Sequence, residues 1–131
     1  MTWEVNFLAK KQNLNHPILI GGLPGIGNVG KIAVDFLKEE LKAKKILEFS
    51  SGDLPHTVFV NEKNLIELPS IGLYSAKVKN QDFIFLVGDA QPINESACYD
   101  FCAQVVKVLQ ELGCKQVITL GGIALRHVPK K

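Results

Sequence analysis

Residues 25 to 31 read Gly25-Ile26-Gly27-Asn28-Val29-Gly30-Lys31, a spacing that can serve two kinds of phosphate chemistry. Read as G-x-G-x-x-G, it is the fingerprint of a dinucleotide-binding turn. Glycines let the backbone approach a pyrophosphate, and the N-terminus of the following helix favours its charge. Glu48 then stands about where a ribose-binding acid is expected. Read as G-x-x-x-x-G-K, the segment is one residue short of a Walker A loop, because Ile32 stands where a magnesium-binding Ser or Thr belongs. Gly22-Leu23-Pro24 also lengthen the approach beyond the tight turn that a dinucleotide site uses, since Pro24 fixes its own φ and pushes Leu23 extended. The plainer reading is a glycine-rich turn that packs closely and binds nothing. The alternative keeps Gly25, Gly27, Asn28, Gly30 and Lys31 as nucleotide or phosphate ligands.

Other chemistry is thinner. Ser50, Ser51 and Ser70 lack a G-x-S-x-G elbow. Asp53 and Asp89 could meet as an acid/base pair, although most loop carboxylates are solvated or capping. Three cysteines, Cys98, Cys102 and Cys114, are an odd number that suits a reducing, cytoplasmic setting better than a disulfide scaffold. Cys98 and Cys102 are expected on the apolar side of a helix with Phe101 and Val105, as small buried hydrophobes. His16, His56 and His127 show no ligand spacing, so no metal is assigned, and no cofactor or catalytic residue either.

The elements that position these residues follow from periodicity. Trp3, Val5 and Phe7 alternate with polar residues as in a half-buried strand, and a polar stretch with Lys10, Lys11, Asn13 and Asn15 follows. Ile18-Leu19-Ile20 predicts a buried strand. From Val29 the apolar positions Ile32, Ala33, Phe36, Leu37 and Leu41 have helical spacing, with Asn28 as N-cap and Lys31, Asp35, Lys38, Glu39 and Lys42 on a solvated face. A strand over 45–49 comes next. Residues 57–60 and 65–68 flank Asn61-Glu62-Lys63-Asn64 as a hairpin, which a strand over 71–78 is expected to extend. Residues 83–87 are apolar enough for a sheet covered on both faces. A helix over 95–112, capped by Asn94 and closed by Gly113, leads to a buried strand over 116–120.

This order predicts an α/β fold with a mainly parallel central sheet and an antiparallel hairpin insertion. The loops Gly21–Gly27, Ser50–Pro55, Gly88–Pro92 and Gly121–Gly122 should gather at the carboxyl ends of the parallel strands, where open α/β sheets bind ligands. With 131 residues, 47% hydrophobic and 21% charged, the chain is sized and composed as one soluble domain. A net charge of +2 with scattered lysines gives no support for nucleic-acid binding, and no apolar run reaches the length of a membrane span. The start, Met1-Thr2-Trp3-Glu4-Val5, lacks the basic and apolar regions of a secretory signal.

Together, Gly21-Gly22-Leu23-Pro24-Gly25-Ile26-Gly27-Asn28-Val29-Gly30-Lys31, Asp53-Leu54-Pro55-His56, Gly88-Asp89-Ala90-Gln91-Pro92, Tyr99 and Leu120-Gly121-Gly122 resemble the proteasome-assembly-chaperone family, especially its archaeal members. The resemblance runs from about residue 17 to 124 and corresponds to the N-terminal half to two-thirds of the family pattern. It implies a three-layer α/β sandwich related to the nucleoside-phosphorylase-like fold, self-association as a homo-oligomer, and binding to proteasome α-subunits. It implies a non-enzymatic role, although archaeal members are often labelled ATP-grasp-like carboligases; such an enzyme needs metal-binding acids and lysines on two lobes. The family's longer members continue past the Gly-Gly strand end, and some end in a hydrophobic-Tyr-X tail. This chain ends Leu125-Arg126-His127-Val128-Pro129-Lys130-Lys131, so the domain over 1–131 is expected to be truncated relative to the family.

Overall fold

The structure is a computed structural model that describes residues 3–8 and 13–128. The expectations for Met1 and Thr2, for Lys10 and Lys11, and for residues 129–131 lie outside these described residues. The elements in chain order are β1 (Glu4–Phe7), β2 (Ile18–Gly22), α1 (Val29–Glu40), β3 (Lys44–Ser50), β4 (Phe59–Val60), β5 (Ile66–Glu67), β6 (Ile71–Val78), β7 (Gln81–Gly88), α2 (Glu95–Glu111) and β8 (Gln116–Thr119). A single 3-10 turn at Ile26–Asn28 leads into α1.

Among the described residues, six strands form one sheet in the order β1-β3-β6-β7-β2-β8, while β4 and β5 pair only with each other. The sheet is mixed. β7 and β8 flank β2 in parallel, whereas the β1–β3, β3–β6 and β6–β7 pairings are antiparallel. The expectation of a mainly parallel sheet is therefore corrected, and the cause is β6. It does not extend the β4–β5 hairpin but enters the main sheet between β3 and β7. The turn joining β6 to β7 is Lys79-Asn80, both with positive φ (48° and 67°), the backbone of a two-residue hairpin whose twist matches its strands. Lysine is a poor marker for that conformation, which is why the turn escapes a sequence reading.

Each face of the sheet carries one helix. On one face α2 sets Phe101, Val105, Val108 and Leu109 against Leu47, Phe49, Ile71, Leu73 and Ile84. Phe101 lies edge-on to Phe49 with centroids 5.4 Å apart and is covered by Trp3 at 4.9 Å. On the other face Val34 and Leu37 of α1 meet Ile20, Phe85 and Val87. Alternation along β7 explains the division, since Ile84 and Phe85 point to opposite faces. Asn94 caps α2 as expected, its Oδ1 accepting from the Ala97 amide at 2.8 Å, and Gly113 follows the helix with φ +71°.

The burial of α1 reverses its sequence reading. Val29, Ile32 and Phe36 are exposed, the last two at 63% and 62%, while Lys31, Asp35 and Lys38 are half-buried. What presses α1 onto the sheet is the line Gly30, Val34 and Leu37. A Cβ on Gly30 would collide with the Leu120 carbonyl, and one on Gly22 with the Gly30 carbonyl, so the first turn of α1 lies directly on the backbone leaving β2 and β8. Asn28 stands at the N-cap position of α1 as expected but makes no side-chain cap bond: it sits in the left-handed region (φ 51°), and its Oδ1 accepts from the Gly25 amide at 3.3 Å. Cys102 is exposed and Cys98 and Cys114 are intermediate, so the expectation of buried thiols fails for Cys102. The buried line of α2 runs Ala97, Phe101, Val105 and Val108, one residue out of phase with Cys98 and Cys102. Finally, β8 was expected to be buried, yet all four of its residues are exposed.

Buried Asp82 secures the entry to β2, accepting from the Asn15 amide at 2.8 Å and facing the Lys77 ammonium at 3.8 Å. Two substitutions separate packing glycines from free ones. Gly30→Ala is expected to lower stability by about 1–3 kcal/mol in chemical denaturation, as overpacking does. Gly25→Ala, whose new methyl would meet nothing nearer than 4.0 Å, should change it by less than about 0.5 kcal/mol.

Candidate functional site

Strands β2, β3, β7 and β8 all run the same way, so their carboxyl ends share one edge. The four loops expected there do meet. The Ile93 amide donates to the Asp53 carbonyl at 2.8 Å, joining the loop after β7 to that after β3. Gln91 donates from Nε2 to the Pro24 carbonyl, joining it to the loop after β2. Gly122, after β8, lies against Ile26 and Val29.

Within the glycine segment the residues divide by role. Gly22 and Gly30 are spent on backbone packing, and Asn28 on the Gly25 amide. A Cβ on Gly25 would meet nothing nearer than 4.0 Å, and one on Gly27, at φ +65°, would touch the Val29 side chain at 3.5 Å. Lys31 turns away from the loop to Asp35, with Nζ and Oδ2 2.9 Å apart, one helical turn on. Asn28 engages both the amide and the carbonyl of Gly25, so the loop offers no free backbone there and no unpaired cation.

A cleft of about 870 Å³ lies between the end of β3 and the β4–β5 hairpin. Its walls are Ser50 to Gly52, Leu54 to Val58, Glu67 to Ser70 at the end of the hairpin, and Asp89 after β7. Leu54, Pro55, Val58 and Leu68 give it an apolar side; Lys45, Glu48, His56, Glu67 and Asp89 give it a charged one. Lys45 is tied to Glu48 at 3.0 Å, Glu67 accepts from Asn61 Nδ2 at 2.7 Å, and His56 Nε2 lies 3.2 Å from the Gly52 carbonyl. A second cleft of about 400 Å³ continues from it under α1, where Lys38 sits over the Tyr74 ring at 4.8 Å. Asp89 lines both clefts and Asp53 neither. Among the described residues, no three His, Cys, Asp or Glu side chains are grouped as a metal site, and no helix is long and apolar enough to cross a membrane.

The hairpin was expected from the sequence; what sequence reasoning missed is how exposed it is. Its apolar residues Val58, Phe59, Val60, Leu65, Ile66 and Leu68 are all exposed, Ile66 at 70% and Leu68 at 72%. Asn61 shapes the turn, its Oδ1 accepting from the Lys63 and Leu65 amides at 2.9 and 3.0 Å. The result is an exposed apolar arm at the side of the cleft, a larger apolar exposure than scattered surface residues give. The signal was legible in principle: apolar residues on both faces of a short hairpin have no partner sheet in the chain.

Comparison with known proteins agrees in fold and extent. An uncharacterized protein of Methanocaldococcus jannaschii is 32% identical over 129 residues, 95% of this chain and 50% of that protein. The crystal structure of Pyrococcus furiosus PbaB, an archaeal proteasome activator, superposes with a TM-score of 0.88 at 31% identity, over 98% of this chain and 55% of that one. Pyrococcus furiosus PbaA, an archaeal homolog of proteasome-assembly chaperone, gives 0.71 at 25% identity, covering 98% of this chain and 53% of that chain. The chain thus spans about half the length of these relatives. The PAC2 family pattern matches residues 19–130, nearly the whole of the described structure, and the chain belongs to the PAC2 family.

Proposed function

We propose that this chain is a non-enzymatic, proteasome-assembly-chaperone-like protein that binds proteasome α-subunits and associates with itself. The observation that carries the reading is the β4–β5 arm, an exposed apolar hairpin paired only with itself at the ligand edge of the sheet. Likeness to an archaeal proteasome activator and to a homolog of proteasome-assembly chaperone supports the choice of partner. We also infer that the chain corresponds to the amino-terminal half of the family fold, and that one helix on each face makes it a three-layer sandwich of nucleoside-phosphorylase-like type. Free thiols at Cys98, Cys102 and Cys114 suit a cytoplasmic setting.

The competing reading is a nucleotide or phosphate held by Gly25, Gly27, Asn28, Gly30 and Lys31. The absence of any close clash at Gly25 and Gly27 favours it, while the bonding of Gly25 to Asn28, the pairing of Lys31 with Asp35 and the packing of Gly30 weigh against it. Calorimetry with ATP, NAD and inorganic phosphate at millimolar concentration is expected to give no binding heat; saturable heat abolished by Gly27→Ala would establish that reading instead.

Immobilised chain is expected to capture archaeal proteasome α-subunits. The double substitution Ile66→Glu, Leu68→Glu should cut capture by about tenfold or more, with the circular dichroism unchanged. No capture by the unaltered chain rejects the reading. Light scattering at micromolar concentration is expected to give a mass above that of a monomer, and a monomer mass rejects self-association.

A further inference from the structure

The sheet begins at β1, which pairs with β3 on one side and with nothing among the described residues on the other. The Leu8 amide donates to the Ile46 carbonyl at 2.9 Å, so by alternation along the antiparallel ladder Asn6 and Glu4 also bond to β3. The backbone groups of Val5 and Phe7 therefore point away from the sheet. Edge strands are commonly guarded by lysine, proline or a bulge. β1, Glu4-Val5-Asn6-Phe7, has none of these; Glu4 is its one charge and its register on β3 is unbroken. Phe7 and Leu8 stand exposed at 54% and 55%.

One flank of α2 runs beside this edge. Trp3, Val5 and Phe7 share a cleft of about 300 Å³ with Gln104, Lys107 and Glu111 of the helix. Trp3 is buried, yet its indole Nε1 finds no acceptor, although a buried tryptophan N–H usually has one. Lys107 and Glu111 are exposed and stand one helical turn apart, and among the described residues neither makes an ion pair. The edge thus offers a row of unpaired backbone groups, an apolar strip and one free charge of each sign.

We propose that a second copy of this chain pairs on β1, antiparallel and about a two-fold axis, so that the two sheets run on as one. The inference rests on the self-association proposed above and names its surface. The occupant follows from self-complementarity, which a two-fold interface demands of a single patch. An axis normal to the sheet reverses the strand and keeps each face on its own side. The outward groups of Val5 and Phe7 then bond to those of the other β1, and the two α2 helices lie antiparallel across the seam. Lys107 of each copy falls opposite Glu111 of the other, so the same two residues supply both halves of the charge pairing. A flank of one sign would be repelled by its own copy; this one is balanced. Gln104 and Glu111 of the second copy also bring side-chain oxygens toward the cleft in which the Trp3 N–H has no acceptor.

The test is the dimerisation of the full chain, followed by light scattering on dilution. Trp3 is the single tryptophan, so its fluorescence is expected to change along the same curve as the mass. Lys107→Glu and Glu111→Lys each set like charges across the seam twice, and each is expected to weaken the dimer by about tenfold or more. Mixing these two variants should restore a one-to-one dimer of the original strength, because each supplies the sign the other lacks. Val5→Pro removes an outward amide and no bond to β3, and should also weaken the dimer, whereas Ile66→Glu on the hairpin arm should not. A dimer indifferent to both charge reversals, or one that the mixture fails to restore, overturns the inference and leaves self-association to another surface. Trp3 fluorescence that stays constant while the dimer dissociates does the same. A chain that is monomeric throughout overturns both the inference and the self-association it rests on. Capture of α-subunits is scored on the same samples, so failure at this edge and failure at the arm are read separately.

Discussion

Everything at the functional edge depends on one contact between backbones: the first turn of α1 resting on the chain as it leaves β2 and β8. Gly22 and Gly30 have no side chain there because the Gly30 and Leu120 carbonyls occupy the space. The contact fixes where α1 starts, and so where its two flanks fall. It places Lys31, Asp35 and Lys38 over β6, and leaves Val29, Ile32 and Phe36 beside β8. It also draws the loop after β8 onto the loop after β2, which closes the ring of four loops around the carboxyl ends of the strands.

The same contact explains why a phosphate motif could be read in this sequence. Close approach of a helix to a strand and close approach of a backbone to a pyrophosphate both demand glycine at similar spacing. Pattern alone does not separate the two demands; the neighbours of each missing Cβ do. At Gly22 and Gly30 a backbone carbonyl fills the place of a Cβ, whereas at Gly25 and Gly27 the nearest neighbours stand at ordinary contact distance. The charged cleft lies to one side, at the end of β3 and under the hairpin, where Glu48, Glu67 and Asp89 come together from three separate stretches of sequence.

Much of the fold was legible. The α2 helix with its Asn94 cap and Gly113 stop, the β4–β5 hairpin and the gathering of four loops all follow from local residue chemistry. The misreadings share a physical cause, because periodicity reports which residues are apolar and not what covers them. Val29, Ile32, Phe36 and β8 carry the pattern of a core, yet this length of chain does not cover them. The place of β6 was lost for another reason: its turn uses Lys79-Asn80 in a conformation usually announced by glycine. Asp82 could not be foreseen as a buried clamp, since its partner amide is at distant Asn15.

The tight turn between β6 and β7 also sets an order of assembly. Eight consecutive residue pairs, from Val78 with Gln81 out to Ile71 with Gly88, close over a two-residue loop. Forming that ribbon costs little chain entropy, and hairpins of this kind close in microseconds. The parallel pairings of β2 with β7 and β8 join residues far apart in sequence, and they gain nothing until long loops have closed. The central ribbon is thus the template, carrying Ile71, Leu73, Ile84 and Phe85, on which both halves of the core condense. Among the described residues the pairing of β8 with β2 spans the longest stretch of chain, so it is the strand contact that costs most in loop closure.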